Sequence, residues 1–92
     1  MPQIFIKDPD SDKDYAFDWS EWLETGDSIL SYTLTTDDGI TVHDDSLNDD
    51  GDKITFWVSS GVAGKSYQVS CKITTAQGRT DERTIEFKII QE

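Results

Sequence analysis

Polar and apolar residues alternate through YQVSCKITTAQGRTDERTIEFKI, residues 67–89, on both sides of a central turn at residues 76–78. The apolar members of the pattern are Tyr67, Val69, Cys71 and Ile73 before the turn, and Ile85, Phe87 and Ile89 after it. Because side chains in a β-strand point to opposite faces in turn, a period of two places all of these residues on one face. The sequence therefore predicts an antiparallel hairpin with one apolar and one polar face.

A lone hairpin cannot bury its apolar face, so this one requires a second sheet packed against it. Strand-like segments with turn residues between them occur upstream, at residues 3–7, 15–19, 28–35, 40–42 and 53–59. We predict an all-β chain that forms one domain over residues 1–92. The predicted fold is an immunoglobulin/fibronectin-like antiparallel β-sandwich of about seven strands.

Local patterns add detail to this prediction. Residues 20–24, after Trp19, favour one short helical turn, capped by Asp18 or Ser20. Alternation places two sets of side chains on inward faces, namely Leu30, Tyr32 and Leu34 in one strand, and Ile54, Phe56 and Val58 in another. Tyr67 follows a glycine-containing loop, which is where immunoglobulin-type sandwiches place a tyrosine whose hydroxyl bonds back to the main chain.

The charge balance restricts the possible partners. Nineteen Asp and Glu residues against eight Lys and Arg give a net charge of −11, which repels nucleic acid and anionic membranes. No signal peptide and no membrane-spanning run is recognisable, so we expect synthesis in a cytoplasm.

No combination of residues indicates catalysis. Cys71 is the single cysteine and lies on the predicted inward face, which favours a buried apolar role over a nucleophilic one. The single histidine, His43, lies in a different segment. We therefore predict a protein that is not an enzyme.

Four alternating carboxylates give the sharpest chemical hypothesis. Asp8, Asp10, Asp12 and Asp14 have the spacing by which one loop can wrap oxygen ligands around a calcium ion. Lys13 occupies the position where a helix-loop-helix calcium site needs glycine, and Trp19 the position of its bidentate glutamate. Calcium is therefore the one cofactor that the sequence suggests, against the alternative of a solvated acidic loop.

Three tryptophans are candidates for protein contacts. Trp57 alternates with Ile54, Phe56 and Val58, so its side chain should face outward. Trp19 precedes the predicted helical turn and Trp22 lies within it. Trp19 also alternates with Tyr15 and Phe17, so core packing is the alternative for its ring. An exposed tryptophan on a strand is typical of a contact surface, because its ring supplies a large rigid apolar area.

The segment Asp18-Trp19-Ser20 with Trp22-Leu23, and downstream Tyr67-Gln68-Val69 and Gly78-Arg79-Thr80, resembles small proteins encoded among the structural genes of tailed bacteriophages. The resemblance spans residues 7–89 and is most specific in the segment around Trp19. It implies an immunoglobulin-like virion protein, made in the bacterial host cytoplasm, that binds other virion proteins or itself. It implies no catalytic residues.

Two functions are therefore open from the sequence. The first is a structural or accessory virion protein that acts through protein contacts at Trp19, Trp22 and Trp57. The alternative is a calcium-dependent adhesion or carbohydrate-binding module, in which Asp8, Asp10, Asp12 and Asp14 hold the ion.

Overall fold

A computed structural model describes residues 3–91 as seven strands in two sheets. Residues 1, 2 and 92 of the predicted domain lie outside the described residues. The strands are β1 (Gln3–Lys7), β2 (Lys13–Asp18), β3 (Ile29–Thr36), β4 (Ile40–Leu47), β5 (Lys53–Ser60), β6 (Ser66–Thr75) and β7 (Thr80–Ile89). One sheet has the order β1-β7-β6-β3 and the other has the order β2-β5-β4.

This strand order is the immunoglobulin-type sandwich that the sequence predicts. The predicted hairpin is β6–β7, and β3 joins it by pairing with β6. One pairing differs from the all-antiparallel prediction, because β1 runs parallel to β7 from Gln3 opposite Ile85 to Lys7 opposite Ile89. β1 and β7 are not joined by a hairpin turn, which would require antiparallel pairing, so their direction relative to each other is free to be parallel.

The core lies between the inward faces of the two sheets. Most of its residues come from alternate positions of β5, β6 and β7, as the period of two predicts, and Phe17, Trp19, Ile29 and Ile40 complete it. The fully buried apolar members from these strands are Ile54, Phe56, Val58, Val69, Cys71, Ile73, Ile85, Phe87 and Ile89.

The predicted helical turn at residues 20–24 is not present. The segment forms a hydrogen-bonded turn, in which the amides of Trp22 and Leu23 both donate to the Trp19 carbonyl at 3.0 Å. At its start, the Asp18 carboxylate accepts from the Ser20 amide at 2.8 Å. Two hydrogen bonds to one carbonyl do not extend into a helix. Helix nucleation is unfavourable in free energy, and too few residues follow to form the further hydrogen bonds that would compensate for it.

Leu30 also differs from the prediction. A bulge in the pairing of β3 with β6 lies between Ile29 and Ser31, so the alternation shifts by one residue there. Ile29 is buried in its place, and 71% of Leu30 is exposed. Tyr32 and Leu34, beyond the bulge, pack against the core as expected.

The tyrosine corner predicted at Tyr67 is confirmed. The Tyr67 hydroxyl accepts a hydrogen bond from the Val62 amide at 3.1 Å, which ties the loop after β5 to the start of β6. The ring also packs closely against Gly39, where an added Cβ would lie 2.9 Å from its Cε1 atom. Gly39 has a φ of 102°, so the position favours glycine by conformation as well as by space.

We expect Tyr67→Phe to lower the free energy of unfolding by about 1 kcal/mol, because it removes one hydrogen bond and leaves the Val62 amide unpaired. Urea denaturation of both proteins measures this difference. Tyr32→Phe is the matched control, since the Tyr32 hydroxyl bonds Asp45 at an exposed position where water replaces the lost partner. Equal stability of Tyr67→Phe and the wild type would contradict a structural role for this hydroxyl.

Candidate protein-contact surface

Trp57 lies at the centre of the outer face of the three-stranded sheet. Its neighbours in sequence, Phe56 and Val58, are fully buried, so the pleat of β5 directs the Trp57 side chain outward. The residue is 37% exposed. The register places Asp14 of β2 opposite Trp57 on one side and His43 of β4 opposite it on the other.

His43 joins Trp57 to two carboxylates. Its ring centroid lies 6.4 Å from that of Trp57. Its Nε2 lies 2.9 Å from Asp12 Oδ1, and its Nδ1 lies 2.9 Å from Asp44 Oδ2. These two hydrogen bonds, to Asp12 first and Asp44 second, raise the pKa of His43 above 6.5. Both nitrogens can donate together only in the imidazolium form, so the positive charge stabilises the arrangement.

A bulge in β4 places the second of these carboxylates. The pairing of β4 with β5 shifts between His43 and Ser46. Asp44 has a φ of 52°, a left-handed conformation that aspartate tolerates better than most residues. The next residue, Asp45, turns the other way and accepts a hydrogen bond from the Tyr32 hydroxyl at 2.7 Å.

We call the surface formed by Trp57, His43, Asp12, Asp14 and Asp44 the Trp57 face. It combines an exposed aromatic ring with three carboxylates at its border, in a protein whose net charge is −11. Such a surface is complementary to an apolar group surrounded by lysine or arginine.

The structure places the other two candidate tryptophans differently. Trp19 is fully buried, where its ring stacks on Phe17 at 5.7 Å and its Nε1 donates to Asp81 at 2.9 Å. Its main-chain amide donates to the Asp52 carbonyl at 2.9 Å. Trp22 is half-buried and packs against the core. In this fold the Trp19 ring cannot reach a partner directly, whereas Trp22 presents part of its side chain.

The four aspartates of the calcium hypothesis separate into two pairs. The Asp8 carboxylate accepts from the Asp10 amide at 2.8 Å, within the turn that follows β1. Asp12 and Asp14 instead lie on the Trp57 face, against His43 and opposite Trp57 respectively. Within residues 3–91, no group of three or more His, Cys, Asp or Glu side chains is arranged to hold a metal ion.

Cys71 lies in the core. Burial, with smaller contributions from Asp45 and Glu82, raises its pKa to about 12. A thiol with this pKa and no exposed surface is a poor nucleophile at neutral pH.

The sequence prediction missed His43 and Asp44 as members of this surface. Alternation along β5 identified Trp57, but the β4 strand was expected to end at residue 42, before either residue. The alternation of apolar and polar residues that marks a strand could have extended β4 past residue 42. It is weak here because only Val42 among residues 41–45 is apolar.

We expect His43 to titrate with a pKa above 6.5, and Asp12→Asn to move that pKa back toward 6.5. Since the pKa is raised in the folded protein, the stabilisation is complete below the unfolded value and is lost as pH rises through the folded value. NMR titration of the imidazole protons measures the pKa. Unfolding of wild type against His43→Gln as a function of pH measures the stability difference.

Asp38→Asn is the matched control for Asp12→Asn, since it removes one negative charge from a turn that does not contact His43. A pKa of His43 at or below 6.5, or a stability difference that grows with pH, would contradict the double hydrogen bond.

The calcium hypothesis has its own measurement. A native-state site formed by Asp8, Asp10, Asp12 and Asp14 requires the thermal midpoint to rise in millimolar calcium relative to chelator, because the ligand binds only the folded chain. The same scan of Asp12→Asn tests whether any shift comes from this loop. Equal thermal midpoints with calcium and with chelator would rule out the calcium hypothesis.

Comparisons with known proteins provide a family. Residues 7–88 match the family described as Podophage GP4 fiber-tail adaptor protein gp77. The matched span includes the last residue of β1, all of β2 to β6 and nearly all of β7, so it covers both sheets and the Trp57 face. No curated protein matches the sequence. Residues 3–91 include no helix of the length and apolar character needed to cross a membrane.

Proposed function

The chain belongs to the podophage fiber-tail adaptor family, and from this premise we propose that it joins a tail fiber to the tail of a podophage particle. The match over residues 7–88 is the observation that carries the proposal. Membership also confirms the resemblance to structural proteins of tailed bacteriophages. The protein is accordingly a virion structural protein that acts through protein contacts.

We propose that the Trp57 face is one of its docking surfaces. An adaptor needs an exposed surface held in a fixed geometry, and Trp57 meets this need because its strand is the central one of its sheet. A rigid ring that is already ordered before binding loses little conformational entropy when it is buried. Its partner is then a virion protein that presents a pocket bordered by basic side chains.

The charge distribution supports this choice of partner. Asp14 lies directly opposite Trp57, and the His43 side chain occupies the space between Trp57 and two further carboxylates. Opposite charges around an apolar contact accelerate association and fix the orientation of the partners. Basic side chains around the partner's pocket would therefore fix the orientation of the two proteins as well as strengthen their binding.

The adaptor role requires no chemistry from the chain. The single thiol is buried, and the single histidine binds two carboxylates at the surface. We propose a non-enzymatic protein that is synthesised in the bacterial host and then assembled into the virion.

Binding to purified fiber and tail proteins of the same phage tests the proposed surface. We expect Trp57→Ala to weaken binding to one of them by about 30-fold or more, since truncating a central aromatic anchor costs about 2 kcal/mol or more. Calorimetry or biolayer interferometry measures the dissociation constants, and circular dichroism checks the fold. The affinity of the wild type should also fall as salt is raised.

Leu30→Ala is the matched control, because Leu30 is a large exposed apolar residue on the other sheet. It should bind as the wild type does. If Trp57→Ala keeps wild-type affinity for both fiber and tail proteins, the Trp57 face is not a docking surface. If the wild type binds neither protein, the adaptor role itself fails.

A further inference from the structure

A groove runs along the open side of the sandwich, between β2 and the first half of β7. Its volume is about 840 Å³. Phe17 of β2 and Ile85 of β7, both almost fully buried, form part of its floor, and Ala16 and Thr84 are among the small side chains along it. The groove is distinct from the Trp57 face, which lies on the outer surface of the three-stranded sheet and shares no residue with the groove lining.

The groove exists because β1 covers only half of β7. β1 pairs with β7 from Ile85 to Ile89, whereas β7 begins at Thr80. One edge of β7 pairs with β6, and the other pairs with β1 over residues 85–89. Within residues 3–91, no strand pairs with this second edge over residues 80–84. β2 likewise pairs only with β5 in the described portion of the chain. Such strand edges present main-chain donors and acceptors that another strand can use.

The charges in the groove indicate which strand would bind. Asp18, Asp81 and Glu82 line it together with a single cation, Arg83. Arg83 is already engaged, because its Nη1 donates to the Asp18 carbonyl at 2.6 Å and its guanidinium lies 4.8 Å from the centre of the Trp19 ring. A smaller recess beside the groove adds Glu21 to the same surface. The excess of carboxylates favours a partner segment that carries lysine or arginine.

We propose that this groove binds an extended, basic segment of a partner protein, which adds to β7 as a strand alongside residues 80–84. The added strand continues the line of β1 and restores pairing to the exposed half of β7. Its main chain supplies affinity through ladder hydrogen bonds, and its alternate basic side chains supply specificity against the groove carboxylates. Five paired residues span about 17 Å.

Synthetic peptides test the proposal without a known partner. The probe is a ten-residue peptide in which valine alternates with lysine and threonine. One control replaces its lysines with glutamates, and a second replaces alternate residues with proline, which removes the amide donors. We expect the lysine peptide to bind at least about tenfold more tightly than the glutamate peptide, because like charges oppose each other in the second complex.

Hydrogen exchange locates the binding. The lysine peptide should slow exchange of the amides of residues 80–84 that point away from β6 by about tenfold or more, and leave the already paired amides of residues 85–89 unchanged. Glu82→Lys should abolish this protection. Glu86→Lys is the matched control, since it makes the same charge change on the same strand, in the half that β1 already covers.

Three results would overturn the proposal. The first is the absence of protection within residues 80–84 at millimolar lysine peptide, and the second is equal binding of the proline or glutamate peptide. The third is slow exchange, in the protein alone, of the amides of residues 80–84 that point away from β6. If this slow exchange without peptide becomes slower as the protein concentration rises, a second copy of the chain occupies the groove. If it does not, the chain itself covers this edge.

Discussion

Contacts between aromatic rings hold the two sheets together. Tyr15 of β2 meets Phe87 of β7 edge to face, with ring centroids 4.7 Å apart, and Phe56 of β5 meets the same ring at 6.4 Å. Phe5 of β1 adds a third contact, to Tyr15 at 5.1 Å. With one cysteine in the chain, no internal disulfide can bridge the sheets. Each such ring pair contributes about 0.5–1.5 kcal/mol beyond the burial of its area, and Tyr15 and Phe87 each take part in two of these contacts between the sheets.

The outward-facing surfaces follow from this core. Because Phe56 must face Phe87, the next residue along β5 has to face solvent, and that residue is Trp57. A second link between the sheets lies at one end of the sandwich, where the Lys7 ammonium donates to the carbonyls of Ser60 and Asp8 at 2.7 and 2.8 Å. Burial lowers the pKa of Lys7, and the nearby carboxylate of Asp8 opposes that effect.

Alternation of side chains allowed the sequence to predict the sandwich, the inward faces of β5 to β7 and the outward position of Trp57. It failed where the backbone departs from a regular strand. The bulge beside Leu30 and the one at Asp44 each insert a residue whose position depends on the partner strand, so a period read from one segment cannot reveal either.

The candidate surface was only partly predictable for the same reason. Asp12 and Asp14 were recognised only as a local repeat, whereas their surroundings are set by β4 and β5, which come about thirty or more residues later in the chain. The burial of Trp19 could not be predicted from its neighbours in sequence either. Its indole needs a hydrogen-bond acceptor to be buried, and that acceptor, Asp81, is 62 residues away.

The parallel pairing of β1 with β7 has a mechanical consequence. β1 enters the sheet at Gln3, and β7 leaves it at Ile89, so these ends lie at opposite ends of a shared hydrogen-bonded ladder. A pull applied outward at both ends slides the two strands past each other and loads all of the ladder's hydrogen bonds at once. An antiparallel hairpin pulled from its open end would instead lose its hydrogen bonds in succession. In the proposed adaptor role, tension directed along β1 and β7 is therefore resisted by shear of the whole ladder rather than by peeling.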